Sequence, residues 1–207
     1  MNKSIFIDKK ILFYGPANTI DKNTLDINSF DYIIITNNMI NIFFNKYGDN
    51  LSCKIIHLTN QLYTLIYIDI IKKYSNNIDI FFVVDKRSHD HIRKYVKKPI
   101  YICKFNNINN MIKKTPFGLT RILNFINDVN FKELYISGVT FYMGNTIEDC
   151  YEKNYMIKEG KKYNIFKKDK HVHDKLSNIN YTKKICDSNK NISMCKELKD
   201  ILCNINI

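Results

Sequence analysis

Six short apolar runs, each closed by a polar residue or a glycine, limit this chain to very few folds. They are Lys10–Gly15, Asp31–Thr36, Ser52–Leu58, Asp79–Val84, Pro99–Cys103 and Leu134–Ser137. None shows a clean alternation of apolar and polar residues, which is the pattern of strands covered on both faces. Between them lie segments with apolar residues at helical spacing. Leu62–Tyr74 has Leu62, Leu65, Ile66 and Ile70 on one side, and Gly118–Val129 has Leu119, Ile122, Leu123 and Ile126. His89–Val96 reads as a further helix, and residues 191–204 as a last one behind a polar link. Strand and helix alternate along the chain. The expected fold is therefore α/β, a single Rossmann-like domain over residues 1–207 with a mostly parallel sheet and helices on both faces.

Composition narrows the class of protein. Hydrophobic residues make up 45% of the chain, which excludes global disorder. No run reaches the roughly 18 apolar residues of a membrane span, and Ile5-Phe6-Ile7 is too short for the core of a signal peptide. A cytoplasmic protein is expected. The six cysteines show neither C-x-x-C pairing nor a zinc-like rhythm. They read as reduced thiols in apolar positions, and no metal ligand set is expected. A formal charge of +12 suggests an anionic partner. Arginine suits phosphate and base recognition best, yet only Arg87, Arg93 and Arg121 occur. Nucleic acid is therefore not the expected partner.

Chemistry-bearing residues gather between Lys132 and Asp174. Lys132–Tyr142 reads as a buried strand stopping at Ser137-Gly138. A loop rich in tyrosine follows, with 144–170 as a lid, and it leads to His171 and His173 before a helix. In open α/β sheets, ligands sit beyond the carboxyl ends of the strands. With only six glycines in the chain, Gly15, Gly118, Gly138 and Gly144 all fall beside a strand end or a helix start. Asn18 and Thr19 are placed to cap a turn after the first strand.

Three ordered segments resemble the sialyltransferases of glycosyltransferase families 29 and 42. The first is Phe-Tyr-Gly-Pro-Ala-Asn (13–18) followed by Phe-Asp-Tyr-Ile-Ile-Ile-Thr-Asn (30–37). The second is Thr-Pro-Phe-Gly (115–118), leading through a helix to Ile-Ser-Gly-Val-Thr-Phe-Tyr (136–142). The third is His173-Asp174. The resemblance implies inverting, metal-independent transfer of a sugar, sialic acid or a related acidic sugar, from a CMP-sugar donor to a glycan acceptor. No cofactor beyond the donor is implied. His173 would be the base, with His171 in reserve or on the phosphate. Tyr142 and Tyr151 would donate hydrogen bonds to the departing nucleotide. Gly15, Asn18, Asn37, Asn60, Thr115, Gly118, Gly138 and Thr140 would line the donor pocket. The chain departs from the family at Tyr14, Ile35, Phe117, Thr140 and Asn178, where the family places an asparagine, an arginine, a serine or threonine, an acidic residue and a glutamate. A catalytically inactive nucleotide- or glycan-binding relic is the second reading, and a basic nucleic-acid-binding protein the third.

Overall fold

The computed structural model describes residues 3–37, 39–59, 65, 67–103, 112, 116–141, 143, 157–158, 161–162 and 174–204, with backbone alone for 157–158 and 161–162. Its sheet strands are β1 (Lys10–Tyr14), β2 (Tyr32–Thr36), β3 (Lys54–Thr59), β4 (Ile80–Val83), β5 (Ile100–Ile102), β6 (Glu133–Ser137) and β9 (Ile192–Met194). A separate antiparallel pair joins β7 (Ile157–Lys158) to β8 (Lys161–Lys162), inside a stretch that the sequence reads as loop. The helices are α1 (Met39–Tyr47), α2 (Ile68–Tyr74), α3 (Lys86–Ile92), α4 (Gly118–Ile126), α5 (Lys175–Ser188) and α6 (Lys196–Asn204).

The seven strands lie in the order β5-β4-β3-β2-β1-β6-β9, and every pairing is parallel. Parallel strands need crossover connections that cover both faces, and the apolar runs are suited to this. Ile11 and Phe13 of β1, Ile34 of β2, Ile56 of β3 and Phe82 of β4 point to one face, where α4, α5 and α6 supply Ile122, Leu123, Ile179 and Leu198. Leu12, Ile33, Ile35 and Phe81 point to the other, against Met39, Ile40 and Phe43 of α1, Ile71 of α2 and Ile92 of α3. The sheet is thus a doubly wound, Rossmann-like one. Its order reverses between β1 and β6, so the crevice favoured by ligands lies beyond the ends of those two strands. No helix among the described residues is long and apolar enough to cross a membrane.

Several boundaries differ from the sequence reading for local reasons. Asp85 accepts hydrogen bonds from the backbone and hydroxyl of Ser88, so α3 starts at Lys86 rather than near His89. The described part of the helix expected over 62–74 is Ile68–Tyr74. After β1 the chain makes short 3-10 turns, Ile20–Asn23 and Ile27–Ser29. Thr19 stands at the cap position of the first, but its hydroxyl bonds to Ser137 instead of capping. The polar link expected before residue 191 is the second half of α5, and the helix expected over 191–204 starts only at Lys196, because Ile192–Met194 forms β9, an edge strand. A three-residue edge strand with one exposed serine has too little apolar signal to be seen in sequence.

His57 on β3 is 1% exposed, and its Nε2 donates to the carbonyl oxygen of Asn37 at 2.8 Å. A carbonyl only accepts, so this nitrogen carries the proton. Burial pulls the ring's pKa down to about 4. The unfolded chain therefore binds a proton between about pH 6.5 and 4 that the folded chain refuses, and stability rises with pH across that window. His57 is expected to cost about 3 kcal/mol of stability as pH falls from 7 to 4. Urea titrations of wild type and His57→Gln at stepped pH check this, the gap between them changing by that amount and levelling off below about pH 4.

Candidate functional site

The carboxyl edge of the sheet is organised by the ends of β1 and β6. Hydrogen bonding between them continues past the strands: the Gly15 amide donates to Ser137 O and the Ala17 amide to Gly138 O, both at 2.8 Å. A Cβ on Gly15 would lie 2.3 Å from Gly138 O. Gly138 has φ +73°, and a Cβ there would meet Gly15 O at 2.6 Å and Lys22 Nζ at 2.8 Å. These two glycines serve the approach of backbone to backbone. The Gly15 amide, expected to face a ligand, is committed to Ser137.

Lys22 closes this junction. The side chain is 1% exposed, its Nζ donates to Gly15 O at 2.8 Å, and the ammonium lies 4.0 Å from the centre of the Tyr14 ring. Below it Tyr14 sits edge-on to Phe43 and Tyr47. Thr19 and Ser137 share a buried hydroxyl bond of 3.1 Å beside the same loops.

One strand over, Asn37 follows β2 with φ +48°, a conformation that asparagine tolerates better than most residues. Its amide donates to Leu58 O at 2.9 Å and its carbonyl accepts from His57, so β3 holds the backbone on both sides. Gly118 opens α4 against β2; a Cβ there would come 3.2 Å from Thr36 Cγ2. The start of α4, with its partial positive charge, thus stands at the carboxyl edge. Phe117 precedes it without a side-chain cap, and its amide donates to Asn178 Oδ1 at 2.9 Å. Asn178 Oδ1 also accepts from the Thr120 hydroxyl at 2.8 Å, while its Nδ2 donates to Asp174 O at 2.6 Å. Through this one fully buried amide, the first residue before α5 is tied to the first turn of α4.

Arg121 lies in that first turn. Its Nε donates to Pro116 O at 3.0 Å, and burial lowers its pKa to about 10, with Cys103 and Asp85 opposing the shift. It remains a cation at neutral pH. Beyond β6, Phe141 has φ +50° and packs edge-on to Phe117, which folds the strand-end loop onto the start of α4.

Of the residues singled out from the sequence, Gly15, Asn37, Gly118, Gly138 and Thr140 are gathered at this edge. Asn18 follows the Gly15 turn and is exposed; Thr140 is half-buried, and its carbonyl accepts from the Met143 amide. Tyr142, Tyr151, His171, His173, Asn60 and Thr115 lie outside the described residues, as does Gly144. Asp174, next to His173 in sequence, is anchored at the edge by Asn178 and by its own bonds to the Ser177 amide and hydroxyl. Four of the departures from the sialyltransferase pattern have structural roles: Tyr14 and Ile35 are core residues, Phe117 packs on Phe141, and Asn178 joins two helices. Sequence reasoning missed Lys22 and Arg121. Arg121 carried a signal, three positions after a helix-opening glycine; Lys22, in a polar turn, carried none.

A shallow hollow of about 350 Å³ opens at the other edge of the sheet, lined in part by Lys9, Phe30, Asp31 and Lys54. Its polar groups bond one another, Lys9 to Asp31 and Ser52 to Asn28, so it is not the favoured site. Compared with protein-family models, curated proteins and solved structures, the chain finds no match.

Three substitutions check this geometry. Gly15→Ala is expected to destabilise by about 3 kcal/mol or more, because backbone must move to admit the methyl group. Gly48→Ala, at φ +73° in open space, should cost only about 1–2 kcal/mol; urea denaturation measures both. Asn178→Ala strands the Phe117 amide and the Thr120 hydroxyl, with an expected loss of roughly 2–4 kcal/mol and faster hydrogen exchange at the start of α4.

Proposed function

We propose that this chain is a glycosyltransferase that moves an acidic sugar of the sialic acid type from a CMP-sugar donor to a glycan hydroxyl, with inversion and without a metal ion in the chemistry. The observation that supports it is convergence. Segments that resemble the sialyltransferases, far apart in the chain, meet at the carboxyl edge of the sheet: the Gly15 turn, Asn37, Gly118, the Ser137–Thr140 turn and Asp174. The Arg121 cation stands at the same edge and favours an anionic ligand.

The chemistry follows from charge. Cleaving the bond between the anomeric carbon and the phosphate leaves negative charge on CMP, and fixed neutral donors can stabilise it in a dry site. Tyr142 and Tyr151 suit that work, since a phenol stays protonated at neutral pH. The acceptor hydroxyl gives up its proton as it attacks, and the imidazole of His173 accepts it.

A second reading is favoured by the roles of Tyr14, Ile35 and Asn178. Where the family keeps polar groups this chain has core and helix-joining residues, which fits a nucleotide-binding relic without turnover. Calorimetric titration with CMP and a CMP-release assay on CMP-sialic acid with mixed glycan acceptors separate the two. The transferase reading expects binding and turnover, with His173→Ala slowing turnover by roughly 10²–10⁴. Binding alone selects the relic. Absence of both overturns each reading.

A further inference from the structure

Beside the Gly15–Gly138 junction, three potential metal ligands come from two distant parts of the chain. Asp21 belongs to the turn after β1, Cys195 follows β9, and Glu197 is in the first turn of α6. A carboxylate oxygen of each acid and the Cys195 sulfur all lie within 4.8 Å of one another. From these atoms we propose that Asp21, Cys195 and Glu197 bind a zinc-type divalent cation that clamps the loops at the carboxyl edge of the sheet.

Outer contacts hold the two carboxylates, as they hold ligands in metal sites. The Tyr135 hydroxyl donates to Asp21 Oδ2 at 2.9 Å, and the Ile20 amide to Glu197 Oε1 at 3.0 Å. Cys195 is 1% exposed, and its backbone is fixed by the bond from its amide to Ile136 O at 2.9 Å. Asp21 Oδ1 is closed off from solvent and has no hydrogen-bond partner among the described residues. An enclosed carboxylate oxygen without a partner is costly, and a cation is the group that satisfies it together with the neighbouring thiol and second carboxylate.

Two oxygens and one sulfur suit zinc better than magnesium or calcium, which take oxygen ligands. Tetrahedral coordination would bring the three atoms to roughly 3.3–3.6 Å from one another, a small inward movement. A solvent water would fill the fourth position. Binding transfers the thiol proton to the buffer and forms the metal–sulfur bond, so affinity rises with pH. The reading is independent of CMP-sugar chemistry and concerns the junction that positions the edge.

The full chain, stripped with chelator under reducing conditions, is titrated with cobalt(II) and then zinc(II). The proposal expects a thiolate-to-cobalt charge-transfer band that zinc removes, proton release on binding, and affinity increasing with pH. Cys195→Ser should abolish the band while Cys203→Ser, at an exposed cysteine, leaves it. Tyr135→Phe, which removes only an outer contact, should weaken binding by roughly 10–100-fold. If Cys195→Ser does not fold, Glu197→Gln and Tyr135→Phe carry the comparison. No band in wild type overturns the proposal, and so does a band unaffected by Glu197→Gln and Tyr135→Phe.

Discussion

The two halves of this sheet are joined where β1 runs alongside β6. The strands pair from Lys10 to Tyr14, and the pairing continues beyond them through Gly15 and Ala17 onto Ser137 and Gly138. Backbone approaches backbone so closely there that neither glycine has room for a methyl group. Lys22 then covers the junction, with its ammonium shared between a carbonyl and an aromatic face. Everything else at the carboxyl edge takes its position from this contact, because it fixes how the loops after β1 and β6 diverge.

A second tie aligns the helices with that edge. Asn178 uses both ends of its amide, accepting from Phe117 and Thr120 and donating to Asp174. Buried polar side chains persist where their bonds are satisfied, and this one connects the starts of two helices at once. The consequence is functional as well as structural. The start of α4 and the start of α5 are held together next to β2, so a ligand beyond the strand ends would meet both.

Much of the architecture was legible in the residues. The runs Lys-Ile-Leu-Phe-Tyr (10–14), Tyr-Ile-Ile-Ile-Thr (32–36) and Glu-Leu-Tyr-Ile-Ser (133–137) are apolar on both sides of the chain, which left a parallel sheet with two covered faces as the economical solution. Weak elements were less clear. β9 offers a polar three-residue edge, and α3 begins earlier than its apolar residues suggest because Asp85 caps it. At the candidate site, glycines and asparagines were visible as punctuation, whereas Lys22 and Arg121 were two basic residues among the chain's 32.

The sequence by itself determined the alternation of strand and helix, the parallel sheet and the edge at which residues 15, 37, 118 and 138 gather, since apolar patterning is local and additive along the chain. The tertiary structure alone decided which of those residues are free to face a ligand. Gly15 and Gly138 spend their small size on each other, Asn178 serves two helices, and Asp21, Cys195 and Glu197 become neighbours although 174 residues separate the first from the second in sequence. Such contacts depend on how strands are ordered across the sheet, and no local pattern carries that order.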